Sequence, residues 1–324
     1  MKIVILGSGA YGLALANMFN ENNNDITIWT KFKEEKEKIE KERKINNLPN
    51  VTLPENFKYS CNMEEAVKDK DLIVIAVPAG AVNDISKELS NYYKKNQHIC
   101  IASKGIEQNT CLFVVDVLKQ YIKTKNLAVI SGGTFAIDMF NKCPLGLSLA
   151  TKNKETESIL KNSLQNKYLK LRTTNDIIGI EICGSIKNVI AIASGMLAGM
   201  GYPDSTSCMF ITESLNDIKN LIKALGGSKK TILSFAGFGD LLLTCTSTKS
   251  RNYTLGKMIG EKRPKEEIDT YINNTTIEGL YTLKSIHKLL RKKKVNMPII
   301  NLIYNIIFKD TDPNELAKFL IEKE

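Results

Sequence analysis

Short, unbroken apolar runs alternate with amphipathic stretches through the first half of this chain. Ile3–Leu6, Asp25–Trp29, Asp71–Val77, His98–Ser103 and Leu127–Ser131 read as strands. Ala10–Asn22, Lys33–Ile45 and Ala81–Asn91 read as helices between them. Strands that lack polar alternation and are separated by helices predict a parallel sheet covered on both faces. Two further β-like runs, Leu145–Thr151 and Tyr168–Arg172, flank a polar helix at Glu155–Gln165 and extend the sheet. From Asp176 onward the period becomes helical: Asp176–Gly199, Ser205–Leu225, Thr231–Ser234, Tyr253–Glu261, Thr276–Lys288 and Met297–Phe308. A last helix is signposted by Asp312 as N-cap, Pro313 at its first position and Glu315 closing a capping box. The predicted fold class is α/β, with a doubly wound sheet over residues 1–176 and an all-α domain over 177–324.

Gly7-Ser8-Gly9-Ala10-Tyr11-Gly12 follows the first strand directly and opens a helix. In a dinucleotide-binding turn, Gly7 allows the tight bend, Gly9 admits the pyrophosphate and Gly12 lets helix and strand pack closely. The helix N-terminus then faces the phosphates. A purely structural turn would need the same glycines, but strand–turn–helix at the head of alternating β and α makes the N-terminal domain Rossmann-like. About 20 residues past such glycines an acid commonly binds the ribose of NAD. Here the positions read Thr30-Lys31-Phe32-Lys33, with no carboxylate before Glu34 and Glu35. Lys31 or Lys33 would neutralise the extra phosphate of NADP(H), so NADP(H) is favoured and NAD(H) stays open.

Three more turns fall on the same predicted sheet edge, where ligands bind in such folds. They are Val77-Pro78, Ser103-Lys104-Gly105 and Ser131-Gly132-Gly133-Thr134-Phe135-Ala136. In the helical half, Lys187 interrupts the apolar run Gly184–Ala193. A lysine there is costly unless paired, neutralised or facing a cleft; the alternative is a rim lysine whose head reaches water. With only two histidines in the chain, His98 and His287, a desolvated lysine is the natural proton shuttle. Asp240 stands in the apolar segment Gly237–Leu241, and Ser250-Arg251-Asn252 follows it. A guanidinium flanked by hydroxyl and amide suits a phosphate. Asp240 would orient Lys187 or a substrate hydroxyl, or form a structural pair with an arginine.

Composition narrows the setting. The formal charge is +10, but only five of the 45 basic residues are arginine, and lysine is spread throughout. The clusters at Lys31–Lys44 and Arg291–Lys294 read as solvated helix faces, not as a nucleic-acid site. Seven cysteines, with no C-x-x-C pair, fit buried thiols in a reducing compartment and no metal site. The chain opens on a strand with no signal peptide, and the apolar run around Asn188–Met200 looks too short and glycine-rich to span a bilayer. A cytoplasmic protein without stable membrane insertion is the expectation.

In order along the chain, Gly7–Gly12, Leu53-Pro54, Ser103-Lys104-Gly105, Ser131–Ala136, Gly179-Ile180-Glu181, Gly184-Ser185-Ile186-Lys187-Asn188, Gly237–Leu241 with Thr244-Cys245, Ser250-Arg251-Asn252 and Glu278-Gly279 resemble the soluble bacterial NAD(P)-dependent glycerol-3-phosphate dehydrogenases. The resemblance covers essentially the whole chain. It implies interconversion of sn-glycerol 3-phosphate and dihydroxyacetone phosphate, a small phosphorylated three-carbon substrate, for phospholipid synthesis, and it allows a homodimer. It implies Lys187 as general acid/base, with Lys104 and Asp240 in the catalytic set. Gly132, Thr134, Ser250, Arg251 and Asn252 would line the substrate with them. Gly7, Gly9, Ala10, Tyr11, Gly12, Lys31, Lys104, Ala136, Arg251, Thr276 and Glu278 would contact the dinucleotide. The chain departs from the family pattern at Gly133, Asp138 and Ser205. Neighbouring alternatives are a β-hydroxyacid or 6-phosphogluconate-type dehydrogenase, and a non-catalytic NADP(H)-binding sensor.

Overall fold

The computed structural model describes residues 1–45 and 48–323. The chain forms two compact units. One comprises Met1–Lys104 and Phe113–Ile177; the other comprises Gly105–Leu112 and Ile178–Glu324.

The first unit is built on strands β1 (Lys2–Leu6), β2 (Asp25–Trp29), β3 (Lys44–Ile45), β4 (Leu48–Thr52), β5 (Lys58–Ser60), β6 (Leu72–Ile75), β7 (His98–Ile101), β8 (Leu127–Ser131), β9 (Leu145–Thr151) and β10 (Leu169–Thr174). Its helices are α1 (Ala10–Asn20), α2 (Lys33–Glu42), α3 (Met63–Val67), α4 (Val82–Leu89), α5 (Val114–Tyr121), α6 (Ala136–Phe140) and α7 (Lys154–Leu164). Eight strands form one sheet in the order β10-β9-β8-β7-β6-β1-β2-β5. β6, β7 and β8 are buried along their whole length, as their apolar runs require. β1 lies between β2 and β6, both parallel to it, so the strand order reverses there. The crevice at such a reversal is where doubly wound folds bind ligands.

The sheet is not wholly parallel. β9 runs antiparallel to β8 and parallel to β10. The connection from β8 to β9 holds only the five-residue α6, too short at about 1.5 Å per residue to carry the chain back across the sheet. The eleven-residue α7 does make that return between β9 and β10. The predicted helix Lys33–Ile45 ends at Glu42, because Arg43 turns left-handed at φ 52°. Lys44–Ile45 then pairs antiparallel with Leu48–Thr52, a hairpin the charge pattern of this stretch concealed.

The second unit contains α8 (Ile177–Gly199), α9 (Asp204–Ala224), α10 (Asp240–Thr246), α11 (Arg251–Gly260), α12 (Lys265–Asn274), α13 (Glu278–Lys293), α14 (Pro298–Phe308) and α15 (Glu315–Glu322). A π-helical turn, Phe235–Gly239, leads into α10. α8 matches the predicted helix, but its apolar stretch is longer than the run around Asn188–Met200 suggested: at 23 residues and a mean hydropathy of 1.6 it could cross a membrane by length and composition, and 83% of that apolar window is buried inside the protein. Backbone contact explains its glycines. A Cβ on Gly195 would strike the carbonyl of Tyr253 on α11, and one on Gly256 would strike that of Ile192 on α8. Gly199 and Gly260 repeat the contact one turn further on, against Lys257 and Met196. Both helices thus carry a G-x-x-x-G spacing that lets their backbones touch. The last helix starts later than predicted: its N-cap is Asn314, not Asp312, no side chain caps it, and the Asp312 carboxylate accepts the Asn314 N–H at 2.9 Å within the preceding turn that also holds Pro313. Glu315 does not close the box; its carboxylate pairs with Lys318 at 2.5 Å.

Candidate active site

In the first unit, four turns lie side by side at the C-terminal ends of β1, β6, β7 and β8. Gly7 sits at φ +123°, and a Cβ there would lie 2.6 Å from the Ala76 carbonyl oxygen at the end of the β6 run. A Cβ on Gly12 would strike the carbonyl of Gly7. Gly9, by contrast, has nothing within 4 Å of where its Cβ would be, and no side chain caps α1. The turn is therefore tight where strand and helix meet and open over the helix N-terminus. That combination fits a dinucleotide pyrophosphate.

The neighbouring turns are pinned from behind. Ser103 donates to the Val77 carbonyl at 2.5 Å, tying the turn after β7 to the one after β6. Lys104 Nζ donates to the Gly132 carbonyl at 3.2 Å and lies 5.7 Å from the centre of the Tyr11 ring. It thereby spans from the turn after β8 to the glycine turn. Gly132 itself packs against β9, where a Cβ would lie 2.6 Å from the Gly146 oxygen. The buried hydroxyls of Ser131 and Thr134 have no hydrogen-bond partner among the described residues. Buried hydroxyls normally find one, so these two have hydrogen-bonding capacity to offer a polar ligand at this edge. Lys31 is exposed just beyond β2, and Ala136 opens α6.

In the second unit, Lys187 Nζ donates to Asp240 Oδ1 at 2.5 Å and to Thr244 Oγ1 at 3.2 Å. The side chains of Lys187 and Asp240 are 12% and 2% exposed, so the lysine is not a rim residue reaching water. Asp240 pairs with this lysine. Thr244 lies one turn along α10 from Asp240. Its hydroxyl donates to the Asp240 carbonyl at 2.5 Å, which leaves a lone pair to receive the lysine. The ammonium is thus held by a charge and a dipole from one short helix. Next to it, burial pushes the Cys245 thiol far above its ordinary range, which makes it inert as a nucleophile.

A second network begins at the adjacent residue. Asn188 donates to Glu278 at 3.2 Å and accepts from the Asn252 amide at 3.0 Å; Asn252 in turn accepts the Gly279 N–H at 2.9 Å. α8, α11 and α13 are thereby joined at one buried point. Asn252 and Ser250 are both buried, and Ser250 caps α11 by accepting the Tyr253 N–H at 3.3 Å. Arg251, the first residue of α11, is exposed, as is Thr276, which precedes α13 instead of opening it. Among the described residues, no group of three or more His, Cys, Asp or Glu could hold a metal ion.

Residues 2–157 match the N-terminal family model of NAD-dependent glycerol-3-phosphate dehydrogenase, and residues 176–318 match its C-terminal counterpart. The chain belongs to this dehydrogenase family. Glycerol-3-phosphate dehydrogenase [NAD(P)+] of Fusobacterium nucleatum is 36% identical over 328 residues, covering 100% of this chain and 97% of the relative. The protein of the same name from Staphylococcus epidermidis is 33% identical over 100% of this chain and 98% of its own length. The crystal structure of glycerol-3-phosphate dehydrogenase from Coxiella burnetii superimposes with a TM-score of 0.93 at 29% identity, covering 99% of each chain. Thr244 and Asn188 lie within the motifs that carry the resemblance, yet sequence reasoning assigned neither a role; the structure sets Thr244 against Lys187 and Asn188 between Glu278 and Asn252.

Proposed function

We propose that this protein interconverts sn-glycerol 3-phosphate and dihydroxyacetone phosphate, supplying the glycerol phosphate backbone for phospholipid synthesis. The observation that carries this reading is the buried Lys187–Asp240 pair, an ammonium held at 2.5 Å where a structural core would have an apolar residue. Gly7, Gly9, Ala10, Tyr11, Gly12, Lys31, Lys104, Ala136, Arg251, Thr276 and Glu278 would hold the dinucleotide. Lys104, Gly132, Thr134, Lys187, Asp240, Ser250, Arg251 and Asn252 would hold the substrate. When bound, the nicotinamide supplies or accepts a hydride.

The chain's own residues do the rest. Lys187 Nζ gives its proton to the C2 oxygen during reduction and takes it back during oxidation. Asp240 and Thr244 hold Nζ in place and balance its charge, so the ammonium is preorganised for the developing alkoxide. Lys104 and the Arg251 guanidinium compensate the dianionic phosphate. Ser250 and Asn252 act largely through position, because the one caps α11 and the other ties α11 to α8 and α13. The exposed Lys31 supports use of NADP(H). We place the protein in the cytoplasm, with α8 as a core helix and not a membrane anchor, and a homodimer is consistent with the reading.

The test is the initial rate of dihydroxyacetone phosphate reduction with NADPH and with NADH. Oxidation of either cofactor is the expected result; cofactor binding without turnover would overturn the substrate assignment. Lys187→Met should lower kcat by about 10²–10⁴-fold with cofactor affinity nearly unchanged. A variant retaining substantial activity would remove Lys187 from the acid/base role.

A further inference from the structure

The end of β2 lies beside the glycine turn. Leu6 pairs with Trp29, and the Gly7 N–H donates to the Trp29 carbonyl at 2.9 Å. The next residue, Thr30, therefore occupies the place where dinucleotide folds commonly set an acid against the adenosine ribose. Thr30 is neutral and only 4% exposed. Its hydroxyl donates to Glu35 Oε2 at 2.7 Å, and the Phe32 N–H reaches the same hydroxyl oxygen at 3.4 Å. Glu35 belongs to the first turn of α2 and is half-buried, whereas Lys31, Phe32, Lys33 and Glu34 are all exposed. The strand end thus has its carboxylate after all, brought back by the first turn of a helix and moored on a threonine. Lys31, the chain neighbour of Thr30, is exposed and carries the opposite charge.

We propose that Glu35, moored by Thr30, is a specificity-determining residue that favours a dinucleotide with an unphosphorylated adenosine ribose. This rests on the dinucleotide site proposed above. A carboxylate oxygen can accept a second hydrogen bond alongside the one from Thr30, here from a ribose hydroxyl. The same negative charge repels a 2′-phosphate, which Lys31 attracts. Glu35 and Lys31 together therefore set the NADH to NADPH ratio, and neither residue alone fixes it.

The experiment measures Kd for NADH and for NADPH with the full chain, by quenching of Trp29, the only tryptophan present. Steady-state kcat and KM with dihydroxyacetone phosphate accompany it. Glu35→Gln should weaken NADH binding about tenfold and leave NADPH unchanged or tighter. Thr30→Val, which keeps the shape of the residue and releases the carboxylate, should move the ratio in the same direction by about threefold. Equal loss of both cofactors, or no change in either from both variants, would overturn the proposal. A shifted Kd ratio in a protein that never reduces dihydroxyacetone phosphate would support Glu35 and sink the substrate reading. A wild-type chain that binds neither dinucleotide would overturn both.

Discussion

Lys187 and Asp240 form an ion pair whose partners cannot be separated cheaply. Two charges buried this deeply have lost most of their hydration, and the pair offsets that loss only while both are present. Asp240→Asn should therefore destabilise the fold by about 3 kcal/mol, read as a lowered urea midpoint, and lower kcat because the ammonium loses its anchor. Adding Lys187→Met to that variant should restore part of the stability and none of the activity. Additive losses would show that the two side chains do not act as a pair. Lys187 was legible in the sequence because a single cation in an apolar run has few places to go. Its partner was legible only as one of several options, since 53 residues separate the two and spacing carries no information over that distance. Glu35 was visible too, but misplaced: a carboxylate five residues past Thr30 looks remote from the strand end until the helix turn folds it back.

The elements show where a pattern suffices and where it does not. β1, β6 and β8 were readable because strands buried on both faces are almost wholly apolar, and β2 and β7 because their isoleucines outweigh Asp25, Thr27 and His98. The β3–β4 hairpin, β5 and α3 are short or polar and left no periodic trace. The reversed direction of β9 depends on the length of α6, which hydrophobicity does not report. The α8–α11 contact depends on backbone proximity, for which the paired G-x-x-x-G spacings are the one available signal. That contact sets a test. Alanine for glycine within a helix normally stabilises by up to about 1 kcal/mol. Gly256→Ala should instead lower stability by about 1–3 kcal/mol, because its Cβ meets the Ile192 carbonyl. Gly80→Ala, where the added methyl meets nothing within 4 Å, is the control and should leave the thermal midpoint nearly unchanged. Equal effects at the two positions would show that the helices do not approach this closely.

Over the whole molecule, both histidines bias stability towards neutral pH. Burial lowers the pKa of His98, against weaker opposing pulls from Glu155 and Asp71. Burial also lowers that of His287, with Arg291 and Lys309 acting in the same direction. The folded protein thus resists taking up protons that the unfolded chain binds below about pH 6.5. Stability present above that pH is lost as the pH falls through the folded values. The urea midpoint should drop between pH 7.5 and 5. His98→Asn, which does not titrate, should flatten part of the decline. A midpoint that rises on acidification would contradict the sign.

Chain connectivity has a consequence for inheritance. The polypeptide passes from one unit to the other at Lys104–Gly105, at Leu112–Phe113 and again at Ile177–Ile178. A module joined to its neighbour at one point can be exchanged between genes by a single recombination. Here a crossover near codon 177 would deliver a helical unit missing Gly105–Leu112, and its recipient would have to supply a matching segment from within its own sheet unit. Evolution can remodel the two halves of this enzyme only in concert, and a chimaera between relatives must carry that short segment with the helices it folds against.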